Sequence, residues 1–150
     1  MILSLTDKSV QNVLDALHHY GWDSIEVVEN WLLRAHHPVT GRLDVLVSQT
    51  EYENVALGRA HTVALDEQHT CKTLAIEDVL ILKSIAVRYR DNDDVESILV
   101  TRPNLDWDYM TRWIDEFGVQ KRLQRIENSA LTSGRITQEI TSRLRQRSSD

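Results

Sequence analysis

Apolar residues recur along this chain with two periods, and the change from one to the other organises it. Val10, Val13, Leu14 and Leu17 follow the 3.6-residue period of a helix, with Thr6 as its N-cap, Leu5 and Val10 spaced as a hydrophobic staple, and Gly21 closing it. The five residues before it, MILSL, are apolar like the end of a strand. Residues 24–35, SIEVVENWLLRA, are rich in Val, Ile, Leu and Trp and predict an extended segment, although the run also fits a helix. The HHPVTG stretch from His36 to Gly41 makes a turn. Residues 42–48 then alternate: Leu43, Val45 and Val47 point one way, Arg42, Asp44, Leu46 and Ser48 the other.

Thr50 opens a short helix reaching about Ala60, and brief strands follow at 61–65 and 69–74. Every element after Ala75 is predicted to be helical. The next stretch, LAIEDVLILKSIAVRYRDNDDVESIL, holds a helix that is apolar nearly all round except for Lys83, whose same-face neighbours are Val79, Leu80, Ala86 and Val87. A buried ammonium is costly, so Lys83 either snorkels to an edge or meets a carboxylate or phosphate. The following helix has Val95, Ile98 and Leu99 as its inner stripe, and Asp94, one turn before Ile98, is placed to face inward. Asp106 caps a third helix whose buried stripe is Trp107, Met110, Ile114 and Phe117, with Leu105 and Met110 as its staple and Gly118 as its end. A tail helix begins near Val119, the NSALTSG run at 128–134 reads as a break, and residues 147–150 read as frayed.

The predicted class is α+β: a small sheet followed by a C-terminal helical bundle, divided as residues 1–74, 75–118 and a basic tail 119–150. Composition narrows this little, since 150 residues, 41% apolar and 27% charged suit an ordinary globular domain. No apolar run nears the roughly 20 residues that cross a bilayer, and a signal-peptide pattern is missing at the start, so a cytoplasmic protein without membrane partners is expected. The net charge of −6 is uneven, with +4 in residues 119–150 and −10 before them, and a solvated helix face accounts for the basic tail. The single cysteine, Cys71, excludes an intrachain disulfide. His18-His19 and His36-His37, with His61 and His69, lack zinc spacing; Ser9, Ser48 and Ser84 lack a nucleophile elbow; the scattered glycines form no phosphate loop.

Asp44 in mid-strand has two readings, a half-solvated sheet face or a chemical role. The order GRLDVL (41–46), TEYENVALGRA, EDVLILK (77–83), Arg90-Asp91-x-x-Asp94-Val95 and LDWDYMTRW (105–113) resembles the second part of a nucleotidyltransferase-fold protein of the AbiEii toxin type, over about residues 6–118. The resemblance implies a polymerase-β-like site, with Asp44 as the third of three strand-borne carboxylates that hold magnesium and Lys83 and Asp94 at the nucleotide. Two metal ions in such a site bridge the attacking oxygen and the phosphates, which calls for hard oxygen ligands. It also implies a nucleoside triphosphate as substrate, an RNA acceptor or an antitoxin-like protein as partner, and transfer of a nucleoside monophosphate.

The family's Gly-Ser loop and strand-borne Asp-x-Asp are absent before Thr6, as though the fold were N-terminally truncated, and Ala75 stands where relatives carry a capping residue. Asp91-Asn92-Asp93 and Asp106-Trp107-Asp108 have the Asp-x-Asp spelling but open helices, where residues two apart diverge by about 200°. The chain is therefore expected to be inactive alone, with magnesium held only if further carboxylates are supplied. A noncatalytic remnant or protein-interaction module is the alternative. A fold lacking its first strands leaves the Asp44 strand or its neighbour as an open edge, which predicts self-association.

Overall fold

The computed structural model describes residues 2–3, 7–29, 31–86, 88–102 and 104–135. The expected Leu5–Thr6 cap and staple, Val87 on the Lys83 stripe, and the tail beyond Arg135 with its frayed end lie outside them. The chain divides into two compact units, Met1–Lys72 and Thr73–Asp150.

The first unit runs β1 (Ile2–Leu3), α1 (Asp7–His19), β2 (Asp23–Val28), β3 (Leu32–His37), β4 (Gly41–Val47), α2 (Glu51–Gly58), β5 (His61–Ala64) and β6 (Thr70–Thr73), the last ending at the boundary. Strands β1 to β4 form one sheet in the order β1-β4-β3-β2, with β1 parallel to β4 and the rest antiparallel; β5 and β6 form a separate pair. This is the α+β class that the periodicities predict.

Residues 24–35 are not one extended segment. They make most of a hairpin, closed where Trp31 N–H donates to the Val28 carbonyl at 3.2 Å. The two backbone positions that bend it, Ser24 (φ 51°) and Glu29 (φ 49°), have positive φ without being glycine, so local sequence hides the turn. Across the sheet Leu33 faces Val45 and Ala35 faces Leu43, and Leu33, Ala35, Val45 and Val47 are buried on that side. The other side carries the row Glu26, Arg34, Asp44. Of the two strands expected as an open edge, the Asp44 strand and its neighbour, β4 itself lies between β3 and β1, while its neighbour β1 is outermost, as is β2 on the far side. In α2 the Thr50 hydroxyl accepts from Glu53 N–H (3.1 Å) while Glu53 Oε2 accepts from Thr50 N–H (2.9 Å), a capping box that turns Tyr52 and Ala56 inward.

The second unit holds α3 (Ile76–Ala86), α4 (Tyr89–Thr101), α5 (Trp107–Glu116) and α6 (Gln120–Thr132). Helix α3 packs on α4 and α5, and α4 on α6. Leu80, Ile81, Val95, Leu99 and Met110 are almost wholly buried, as the 3.6-residue stripes demand; on α5 the expected stripe is buried at Met110 and Ile114, whereas Trp107 and Phe117 are half-buried and Trp113, outside that stripe, is enclosed. The Asp106 carboxylate accepts from Tyr109 N–H at 3.1 Å and Gly118 ends α5 with φ 63°. The expected break at 128–134 is displaced: α6 continues through Thr132, and its terminal bonds run from Ser133 and Gly134. Helical pairing of Ile126 and Ala130 with the core outweighs the low helix propensity of Asn128, Ser129 and Thr132. Among the described residues no helix is long and apolar enough to cross a membrane.

Candidate functional site

Lys83 lies near the end of α3, and the first turn of α4 brings two carboxylates to it. Its Nζ is 2.6 Å from Asp94 Oδ2 and 3.2 Å from Asp91 Oδ1. Of the two readings of Lys83, the carboxylate partner is the one realised, while its stem still reaches an edge: the side chain is 32% exposed. Lys83 and Asp94 are thus brought together, as a direct ion pair.

Asp94 is not the inward carboxylate. Its side chain is 51% exposed, whereas that of Asp91 is 0% exposed. Helix α4 begins at Tyr89, so Asp91 shares a stripe with Val95 and Leu99 at successive spacings of four, and both of those are buried. Asp94 lies on the half-buried Ile98 line at the flank. Asp91 looks from its sequence context like a first-turn acid facing the helix dipole, which it also is. Its depth becomes visible only through its partners: Arg88 Nε donates to Oδ2 at 2.7 Å and Nη2 to Oδ1 at 3.3 Å, while Lys83 donates from the preceding helix. The i,i+3 spacing of Arg88 and Asp91 is the one local signal that could have disclosed it.

The charges balance within this cluster. Arg88, opposed by burial and helped by Lys83, holds the Asp91 carboxyl down from 3.8 to about 2. Asp94 first, against burial and with Asp91 assisting, raises Lys83 above the usual lysine value. For Lys83 to be given to an incoming phosphate, Asp94 must swing into water; Asp91 is fixed by Arg88 and by burial.

Around the cluster a second set of bonds locks α3 to α4 and α6. Arg122 Nη1 donates to the Ser84 carbonyl at 2.6 Å, capping the end of α3, and its Nη2 reaches Asn92 Oδ1 at 2.7 Å. At the opposite end of α3, the Tyr109 hydroxyl donates to the fully buried Asp78, and Asp106 N–H donates to Glu77. None of these three acids and bases stands out in sequence, because their partners lie 29 to 38 residues away.

Asp44 belongs to the first unit and has different company. Both its oxygens are engaged by Arg42, Nε to Oδ1 at 2.9 Å and Nη2 to Oδ2 at 2.7 Å, and Arg34 is its neighbour on β3. Arg42 holds the Asp44 carboxyl below its usual value, and Asp44 raises Arg42. The half-solvated sheet face describes it: the Arg42 and Asp44 side chains are 61% and 43% exposed. Among the described residues no group of three or more His, Cys, Asp or Glu side chains is placed to hold a metal ion. His37 is used locally, its Nδ1 accepting from Val39 and Thr40 N–H at the β3–β4 turn.

No protein-family model matches the chain, and no curated protein matches it.

Proposed function

We propose that this chain is a nucleotidyltransferase-related protein that does not transfer nucleotides by itself and acts as a noncatalytic interaction module. The observation that carries this reading is the engagement of Lys83 Nζ by Asp94 at 2.6 Å and Asp91 at 3.2 Å. A lysine that binds a triphosphate needs an unneutralised ammonium facing the ligand, whereas this one forms charge-assisted bonds within its own helical unit. Asp44, the one position matching a metal-binding carboxylate in the resemblance, is likewise spent on Arg42. Two-metal phosphoryl chemistry requires several hard oxygen donors converging on one place.

The test is incubation of the purified chain with nucleoside triphosphates labelled at the α-phosphate, magnesium or manganese, and RNA or protein acceptors. The expected result is no label above that given by Asp44→Ala. Robust labelling that Asp44→Ala abolishes would overturn the noncatalytic reading and restore Asp44 as a metal ligand.

A further inference from the structure

The β5–β6 ribbon is open to solvent along its length. All residues from 61 to 70 are exposed, Val63 at 43% and Leu65 at 66%. Two strands alone are marginal in water, and three or more with an apolar face are needed for a stable sheet. The connection 65–69 is too short for a parallel crossover, so the strands are antiparallel. Leu65 N–H donates to the His69 carbonyl at 2.8 Å, which sets Leu65 opposite His69 and Val63 opposite Cys71.

Successive residues of a strand turn their backbone groups to alternate sides. Leu65 and Val63 therefore direct theirs to β6, while Thr62 and Ala64 direct theirs outward. That outward edge carries none of the usual protections: β5, HTVA, has no Asp, Glu, Lys, Arg, Pro or Gly. The outer strand β2 has them, with Asp23, Glu26 and a register break between them, and β6 carries Lys72.

We propose that the chain pairs with a second copy of itself through β5, antiparallel about a two-fold axis at Val63, joining the two ribbons into one sheet. In this register Thr62 of each copy stands opposite Ala64 of the other, and each such pair exchanges its outward N–H and carbonyl bonds. Val63 meets Val63 of the second copy at the close, non-hydrogen-bonded position, so the apolar row Cys71, Val63 continues into its own mirror. Antiparallel pairing also brings the start of one strand to the end of the other. Arg59, just before β5, then lies at the same end as Asp66 and Glu67 of the second copy. Opposite charges meet at both ends, and β5 itself adds no repulsion. The proposal is independent of the nucleotidyltransferase reading, and the short contact makes the association weak.

Sedimentation velocity of the full chain across roughly 5 to 500 μM covers the range of such a small interface. The mean mass is expected to rise from monomer towards dimer. Val63→Lys sets like charges directly opposite and is expected to weaken association by about tenfold or more. In a Cys71→Ser background, Val63→Cys is expected to oxidise to a linked dimer, since Cα atoms of a non-hydrogen-bonded pair lie about 4.5 Å apart, within the range a disulfide spans, and Thr62→Cys to remain unlinked. A wild-type chain that stays monomeric at every concentration overturns the proposal. So does a dimer indifferent to Val63→Lys, or linkage through Thr62→Cys as ready as through Val63→Cys.

Discussion

Arg42 with Asp44 on β4, and Lys83 with Asp91 between α3 and α4, are both cation–aspartate pairs at hydrogen-bond distance. The first is made by residues two apart on one strand, with both side chains open to water. The second joins two helices, and its carboxylate is wholly enclosed. Water already solvates the first pair, so forming it changes little; removing a partner from the second leaves a charge where water does not reach. The comparison teaches that a candidate site residue cannot be weighed by type and partner alone, because the surroundings decide what the pair is worth.

The sharpest way to break the comparison is to remove one member of each pair and measure unfolding by denaturant. Lys83→Met is expected to cost about 2 kcal/mol, below the usual figure for a broken buried pair because Arg88 remains on Asp91 and Lys83 is partly exposed. Asp91→Ala is expected to cost more than Lys83→Met, since it opens a cavity and releases both cations. In a double-mutant cycle, Lys83→Met and Asp94→Asn should couple by only about 0.5 kcal/mol, because Asp94 is half exposed. Full additivity would reject an energetic role for the 2.6 Å contact.

Acid sharpens the contrast at the next level. The Asp91 carboxyl is held at about 2 in the folded chain against 3.8 ordinarily, so the folded state binds fewer protons and the contribution is fully present above the ordinary value. It is lost as pH falls through that window towards about 2. Stability followed from neutral pH downward should therefore fall more steeply in wild type than in Asp91→Asn. Equal slopes would show that Asp91 is not the group that titrates.

The smallest effect belongs to the sheet. Asp44→Asn is expected to change stability by less than about 0.5 kcal/mol, and the change should shrink further in high salt. A loss comparable with that of Lys83→Met would mean that the exposed face is not solvated as its side-chain exposures indicate.

The sequence by itself determined the local elements. Thr50 with Glu53, Asp106, Gly118, the alternation through Val45 and Val47, and the stripes of α3 and α4 all act within one or two turns of chain, so their periods and caps could be read directly. The odd position of Lys83 was legible for the same reason, as a cation in an apolar stripe. What only the tertiary structure decided was which acid answers it. Asp91 and Asp94 differ by three residues on one helix, and the inward one is fixed by how α4 rolls against α3. The same holds for Asp78 with Tyr109 and Arg122 with Ser84, whose separations of 31 and 38 residues carry no local signal. The β2–β3 hairpin was hidden because its bends fall on Ser24 and Glu29, residues whose side chains do not announce positive φ. Periodicity is a property of neighbours along the chain, and burial of a charge is a property of neighbours in space.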